Sequence, residues 1–325
     1  MRAVRVEAYG PPEVLTVAEV PEPKPGPGQV LVDVEVAGIN FVDTMIRAGA
    51  GPFAGGPQPP FVLGNEIGGR VAGVGAGVDP ALVGQLIVSG AGGHGGYAER
   101  AVAAVSEVNA VPAGLPIESA VALRASGRTA VALVRQARLA PGERVLVEAA
   151  AGGLGSLLVQ LAKDAGAIVI GAANGARKLE AVRKLGADHA VDYTEPDWDA
   201  RVRDATGGAG VDVVFESVGG AIGRTSFGLL AEGTGRFLIF GYASGTPVDI
   251  SVNELFGRGL TVASHGGPQL RDQARIRALV AEALDLAVSG RLVPTIGQTY
   301  PLDQAAAAHA AIEARTALGK TLLIP

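Results

Sequence analysis

Residues Arg144 to Lys163 read RVLVEAAAGGLGSLLVQLAK, and this stretch decides the fold. A β-branched run, Val145 to Val147, enters Ala150-x-Gly152-x-x-Gly155, and an apolar helical segment follows. Glycines at such a strand-to-helix turn let the backbone approach a pyrophosphate, whose charge a helix N-terminus favours. Ala150 occupies the first glycine position, a departure from the full fingerprint. A second literal match, Gly90-x-Gly92-x-x-Gly95, has no helical period after it and reads as a loop. With 48 glycines in the chain, about twice the usual ~7%, chance matches are expected, and only context separates the two.

Working outward, short β-branched runs begin near Val145, Ile168, His189, Asp212, Arg236 and Leu260, with helical periods such as Arg177 to Leu185 between them. That alternation predicts a doubly wound parallel sheet. Upstream, Val30, Val32, Val34 and Val36 alternate with Asp33 and Glu35, the period of a half-buried strand. Pro21, Pro23, Pro25 and Pro27 before it form a stiff connector. Further apolar runs, Gly69 to Val74 and Leu86 to Ser89, complete a pattern of small antiparallel barrel or sandwich over roughly the first 120 residues. Downstream, Asp272 to Ser289 and Asp303 to Arg315 read as amphipathic helices and Lys320 to Ile324 as a closing strand, a tail free to return to the first domain. A chain of 325 residues, 48% apolar, exceeds what one core usually serves, so two domains and an α/β class are expected.

The net charge of −5 offers no basic stripe, which argues against nucleic acid or an anionic membrane surface as partner. Cysteine is absent, which excludes disulfides and every thiolate metal site. The opening MRAVRV runs directly into an alternating pattern without an apolar leader, and the charge-free stretch Ala48 to Asn65 is broken by Pro and Gly. A cytoplasmic protein without a membrane segment is expected.

Cofactor choice is written about twenty residues past the glycine turn, where a carboxylate would take the ribose hydroxyls of NAD. Here the second strand runs into Ala173, Asn174, Gly175, Ala176, Arg177 and Lys178, and no acid occurs between Asp164 and Glu180. Arg177 and Lys178, beside Asn174, suit the 2'-phosphate of NADPH. Simple solvation is the alternative, but cations at a helix start are opposed by the macrodipole unless an anion joins them.

Gly142-Glu143, Leu146, Ala150-Ala151-Gly152-Gly153-x-Gly155, Gln160 and Lys163 together resemble the signature of the quinone oxidoreductase and zeta-crystallin group of medium-chain dehydrogenases/reductases. The resemblance extends through Gly38 to Thr44, Gly64-Asn65-Glu66, Gly127 to Ala130, Phe215 to Gly220 and Gly319 to Pro325. It implies a GroES-like catalytic domain from residues 1–122 and 264–325, an inserted Rossmann NADPH-binding domain over 123–263, and a homodimer. It implies that nicotinamide and substrate lie in the cleft between the domains. It implies that Asn40 and Asp43 lie beside the nicotinamide, with Thr129 approaching it. Ala151, Gly152, Gly153 and Leu154 would follow the pyrophosphate; Asn174, Arg177, Lys178 and Tyr193 would serve the adenosine end. Ser217, Phe240, Gly241, Tyr242 and Arg315 fall where cofactor contacts recur.

Zinc-dependent relatives place Cys and His where this chain has Asn40 and Asn65, so no metal is expected. Without a Lewis acid, a small-molecule conjugated acceptor such as a quinone, able to spread the charge of an added hydride, suits the site best. An enone or enoyl double bond is the near alternative, and a non-catalytic NADPH-binding protein the alternative from another class. Members of the group often carry tyrosines after the Asp-Thr pair; here Met45, Ala50 and Gly51 stand in that region, leaving a plainer pocket. His94 and His265 lie on glycine-rich loops, while His189 and His309 read as structural.

Overall fold

The computed structural model describes residues 1–50 and 56–325, so Gly51 lies outside the described residues. The chain divides into two compact units, residues 1–128 with 272–325, and residues 129–271.

The first unit is built on the strand Gln29–Ile39, whose valines alternate inward as the sequence predicts. It is more deeply covered than a half-buried strand, because Leu31 and Ala37 are also buried. Along one edge it pairs antiparallel with Glu66–Val74 through two register irregularities, which bend it. Along the other edge its first half pairs with Arg100–Ala104 and its last residues with the closing strand Lys320–Ile324. Leu86–Gly90 and Asn109–Ala110 extend the sheet beyond Glu66–Val74, and Ile296–Pro301 lies parallel to Lys320–Ile324. A separate antiparallel sheet has Arg2–Val6 between Leu15–Glu19 and Phe61–Val62. Val4, Val32, Ile67, Ile87, Tyr97 and Leu323 belong to the core between these elements.

Two helices interrupt the region that reads as β structure. Phe41–Ala48 begins at Asn40, whose backbone N–H donates to Asp43 Oδ2 at 2.8 Å, and stops at Gly49 with φ 66°. A side-chain cap at one end and a left-handed glycine at the other are strong local signals, overridden in the sequence reading by the surrounding Gly and Pro. Ile117–Arg124 packs against Glu66–Val74, and buried Val121 and Leu123 leave it with little amphipathic contrast. The tail helices are Gln273–Val288 and Ala305–Glu313, so Arg315 falls beyond the helix end, at φ 59°.

The second unit is the predicted doubly wound sheet. All pairs are parallel, in the order His189–Asp192, Ile168–Ala173, Arg144–Val147, Val213–Glu216, Arg236–Ile239, Thr261–Ser264. Chain order reverses between Arg144–Val147 and Val213–Glu216, which makes the crevice beyond their carboxyl ends the place where such sheets bind ligands. Leu146, Ile170, Val214, Phe227 and Phe237 form its core.

Candidate functional site

In the second unit, the strand Arg144–Val147 delivers the chain to a turn in which Gly152 N–H donates to Ala149 O at 2.8 Å, and the helix Gly153–Asp164 begins at once. The two later glycines differ in kind. A Cβ on Gly155 would collide with the Ala149 carbonyl, so Gly155 serves helix-to-turn packing. A Cβ on Gly152 would meet only Ala149 O, at 3.2 Å, and φ is an ordinary −81°. Glycine at 152 thus keeps open space above a helix N-terminus, the cradle an anionic group requires. Ala151, Gly153 and Leu154 sit around it. The motif at Gly90 closes the strand Leu86–Gly90 and runs on in turns, with no helix.

The adenosine-end candidates come together at the ends of two neighbouring strands. Lys178 Nζ donates to Asn174 Oδ1 at 2.9 Å, and Tyr193 N–H donates to Ala173 O at 3.3 Å. Arg177 is exposed at the start of the helix Ala176–Lys184, with no partner among the described residues. One acid lies here that the sequence reading missed. Asp192 Oδ2 accepts from Gly175 N–H at 2.6 Å, and Oδ1 accepts from Thr194 N–H and Oγ1 at 3.0 and 2.6 Å. These donors hold its pKa below the ordinary carboxylate value despite burial. These bonds tie Asp192 to the backbone at Gly175 and Thr194.

Ser217, Phe240, Gly241 and Tyr242 also gather at strand ends in this sheet. Ser217 O accepts from Ala243 N–H at 2.8 Å, Phe240 N–H donates to Glu216 O at 3.0 Å, and Gly241 and Tyr242 pass close to Ser217 and Gly219. Thr129 lies half-buried on the helix Ser126–Ala137, at the first residue of the unit.

In the first unit, Asn40 and Asp43 belong to a buried polar network larger than the sequence reading anticipated. The register Gly38↔Glu66 and Thr321↔Ile39 sets Glu66 and Lys320 on either side of Asn40. Gly38 carries no Cβ because the Glu66 carboxylate fills that space. Lys320 Nζ donates to Glu66 Oε2 and to Asn40 Oδ1 at 2.7 Å, while Asn40 Nδ2 donates to Glu66 Oε2 at 3.1 Å. Glu66 Oε1 also accepts from Ala125 N–H at 2.6 Å. Asp43 is pushed up to about 6, chiefly by burial, against the opposing hydrogen bond from Asn40 and charge of Lys320. Tyr97 OH donates to Asp43 Oδ2 at 3.1 Å and lies 3.3 Å from His309 Nε2. His309 is buried and its pKa falls to about 3, so a neutral ring donates from Nε2 to the phenol oxygen and leaves Nδ1 without a partner. Tyr97 thereby supplies a phenol beside Asp43, while Met45 is half-buried on the helix Phe41–Ala48. Arg315 stacks its guanidinium 5.0 Å from the Phe41 ring centre, next to Asn40 in sequence. His94 is exposed and edge-on to Phe61, and His265 donates its N–H to Ile239 O.

The donors at 40 and 65 do not fit a zinc ion. Asn40 Oδ1 already faces an ammonium group, and Asn65 Oδ1 accepts from Ala91 and Gly93 N–H at 3.0 and 2.7 Å. Amide oxygens are in any case weak ligands for that metal. Among the described residues no group of three or more His, Cys, Asp or Glu could hold a metal, and no helix is long and apolar enough to cross a membrane.

A GroES-like unit with a dinucleotide-type parallel sheet defines the medium-chain dehydrogenase/reductase class. Residues 26–113 match the alcohol dehydrogenase GroES-like domain, and residues 153–285 match the zinc-binding dehydrogenase domain. The chain is 34% identical to quinone oxidoreductase 1 of Escherichia coli, over 99% of this chain and 100% of that one. It is 34% identical to a 2-haloacrylate reductase of a Burkholderia species, over 99% and 98% of the two chains. The crystal structure of Escherichia coli quinone oxidoreductase complexed with NADPH superposes with a TM-score of 0.93, at 32% identity and full coverage of both chains. The chain belongs to the quinone oxidoreductase family, and it is an oxidoreductase.

Proposed function

We propose that the protein is an NADPH-dependent reductase of quinones and other conjugated acceptors that works without zinc. The observation that carries this reading is the open turn at Gly152 together with Arg177, exposed and without a partner among the described residues, and the Lys178–Asn174 pair at the next strand end. Ala151 to Leu154 hold the pyrophosphate by backbone groups; Asn174, Arg177, Lys178 and Tyr193 hold the adenosine end and its 2'-phosphate. Ser217, Phe240, Gly241, Tyr242 and Arg315 complete the cofactor contacts. NADPH, when bound, supplies the hydride.

We assign Asn40, Asp43 and Thr129 to the chemistry. Lys320 and Glu66 fix the Asn40 amide, leaving its second Nδ2 hydrogen for a substrate oxygen. Asp43, titrating at about 6, is ionised at neutral pH and holds the Asn40 backbone and the Tyr97 phenol in place. On this reading residues 1–122 with 264–325 form the catalytic domain and residues 123–263 the cofactor domain.

Reduction of an activated carbon–carbon double bond is a second reading, favoured by the similarity to the 2-haloacrylate reductase. Initial rates of NADPH oxidation with one benzoquinone, one enone and one 2-haloacrylate separate the readings. Absence of turnover with all three would overturn both. A cytoplasmic homodimer is part of the proposal. Phe256 and Val252, 91% and 78% exposed on the short helix Val252–Arg258, are apolar surface that association would cover. Sedimentation analysis decides it.

A further inference from the structure

Glu148 follows the strand Arg144–Val147 and Glu216 closes the strand Val213–Glu216, the two strands between which the sheet order reverses. Both side chains are completely buried, at 0% exposure. Glu148 Oε2 accepts from Ser217 N–H at 3.2 Å and Val218 N–H at 3.0 Å, and Glu216 Oε1 accepts from Gly219 N–H. The other oxygens, Glu148 Oε1 and Glu216 Oε2, are buried with no hydrogen-bond partner among the described residues, and the pairing of Phe215 with Val147 brings the two carboxyls to adjoining strand ends. Two acceptor-only groups cannot satisfy one another unless one carries a proton. Gly223 is glycine where a Cβ would come within 2.9 Å of Glu216 Oε1, so the helix Gly220–Gly228 closes over the pair.

No cation is among the leading influences on either carboxyl: these are burial, the partner carboxyl, the backbone N–H groups and the Ser226 hydroxyl. Arg224 on the covering helix is turned to Glu254 and the Phe227 ring, and Arg144 at the far end of its strand pairs with Asp212. From the loop beyond Tyr242, Val248 is the neighbour of Gly223 and brings no charge.

The geometry points to a shared-proton clasp: Glu148 and Glu216 hold one proton between them, and that proton positions the Gly152 turn and the Ser217–Gly220 loop for the cofactor. This rests on the reading that those backbones hold NADPH. Burial raises both pKa values, and the neighbouring Glu148 helps raise Glu216 to about 8. When the proton leaves, two like charges stand side by side under the switch point. Their repulsion separates the two strand ends, and the added charge opposes an anionic pyrophosphate. Glu148 and Glu216 are therefore positioning residues that make cofactor affinity depend on pH.

The test is calorimetric titration of NADPH from about pH 7 to about pH 9.5, where the Kd should rise by up to about tenfold per pH unit, the limit for one linked proton. Glu216→Gln keeps an acceptor for Gly219 and supplies a permanent N–H, so its Kd should stay flat with pH at a value near that of the wild type at neutral pH. Infrared difference spectra of the cofactor-free protein, wild type minus Glu216→Gln, should show the carbonyl stretch of a protonated carboxylic acid, which holds the proposal to account even if a variant folds poorly. A pH-independent wild-type Kd, a slope that persists in Glu216→Gln, or the absence of that band would overturn the proposal. Gly152→Val separates the two readings. If it binds NADPH normally, the cofactor site is wrong; if it is crippled while the wild-type profile is flat, the shared proton is wrong.

Discussion

Replacing Arg177 and Lys178 together with alanine should weaken NADPH binding about thirtyfold and leave NADH binding nearly unchanged. The magnitude follows from their exposure. A charge-assisted hydrogen bond contributes about 1.5–3 kcal/mol when sheltered, but Arg177 is exposed and Lys178 only half-buried, so screening by water and salt brings each contact to about 1 kcal/mol. Two such contacts give about 2 kcal/mol, or roughly thirtyfold at 1.4 kcal/mol per decade. Little folding energy is lost: Arg177 has no partner among the described residues and Lys178 gives up a bond to Asn174. Isothermal titration of each protein with each cofactor is the assay, repeated near 1 M salt, where a Debye length of about 3 Å should shrink the wild-type preference. Equal wild-type affinity for NADPH and NADH would rule out a 2'-phosphate site at Arg177 and Lys178, as would a double variant that loses both cofactors equally.

Gly152→Val should fold, since its Cβ meets only one carbonyl at 3.2 Å, yet lose most NADPH affinity; Gly155→Ala, whose Cβ would collide with the Ala149 carbonyl, should instead lower the thermal midpoint, by about 1–3 kcal/mol of stability. Lys320→Met should cost about 3–5 kcal/mol in urea unfolding, because buried Glu66 loses its directly bonded ammonium partner, and adding Glu66→Gln should recover part of it. Asp43 binds its proton more tightly folded than unfolded, so its cost is present above pH about 6 and is relieved as pH falls toward 4. Wild-type stability relative to Asp43→Asn should accordingly rise by up to about 3 kcal/mol from neutral pH to pH 4, measured by denaturant titration at each pH.

The parallel sheet was legible because each strand is a β-branched run between helical periods. The expected starts at Val145, Ile168, His189, Asp212, Arg236 and Leu260 fall within one residue of the observed ones. The helix Phe41–Ala48 was hidden by the glycines and prolines that follow it, although Asn40 and Asp43 are a legible cap. What the sequence could not disclose is pairing at a distance. Lys320 meets Glu66 and Asn40 only because strands far apart in the chain share Gln29–Ile39 as neighbour. Glu66 and Lys320 both stand at the beginning of apolar strands, a signal that marks a buried charge without naming its partner. Glu148 and Glu216 left a clearer trace: two strands of one sheet, RVLV and VVFE, each reach a glutamate just before a glycine-rich turn.

The proposed reaction is hydride delivery from NADPH to a conjugated acceptor without a metal. Its most direct test is the rate of NADPH oxidation with a benzoquinone, before and after exhaustive chelation, with elemental analysis of the same sample. Acceptor-dependent oxidation should be undiminished in metal-free protein and slower with NADH. Loss of turnover on chelation with recovery on adding stoichiometric zinc would contradict it.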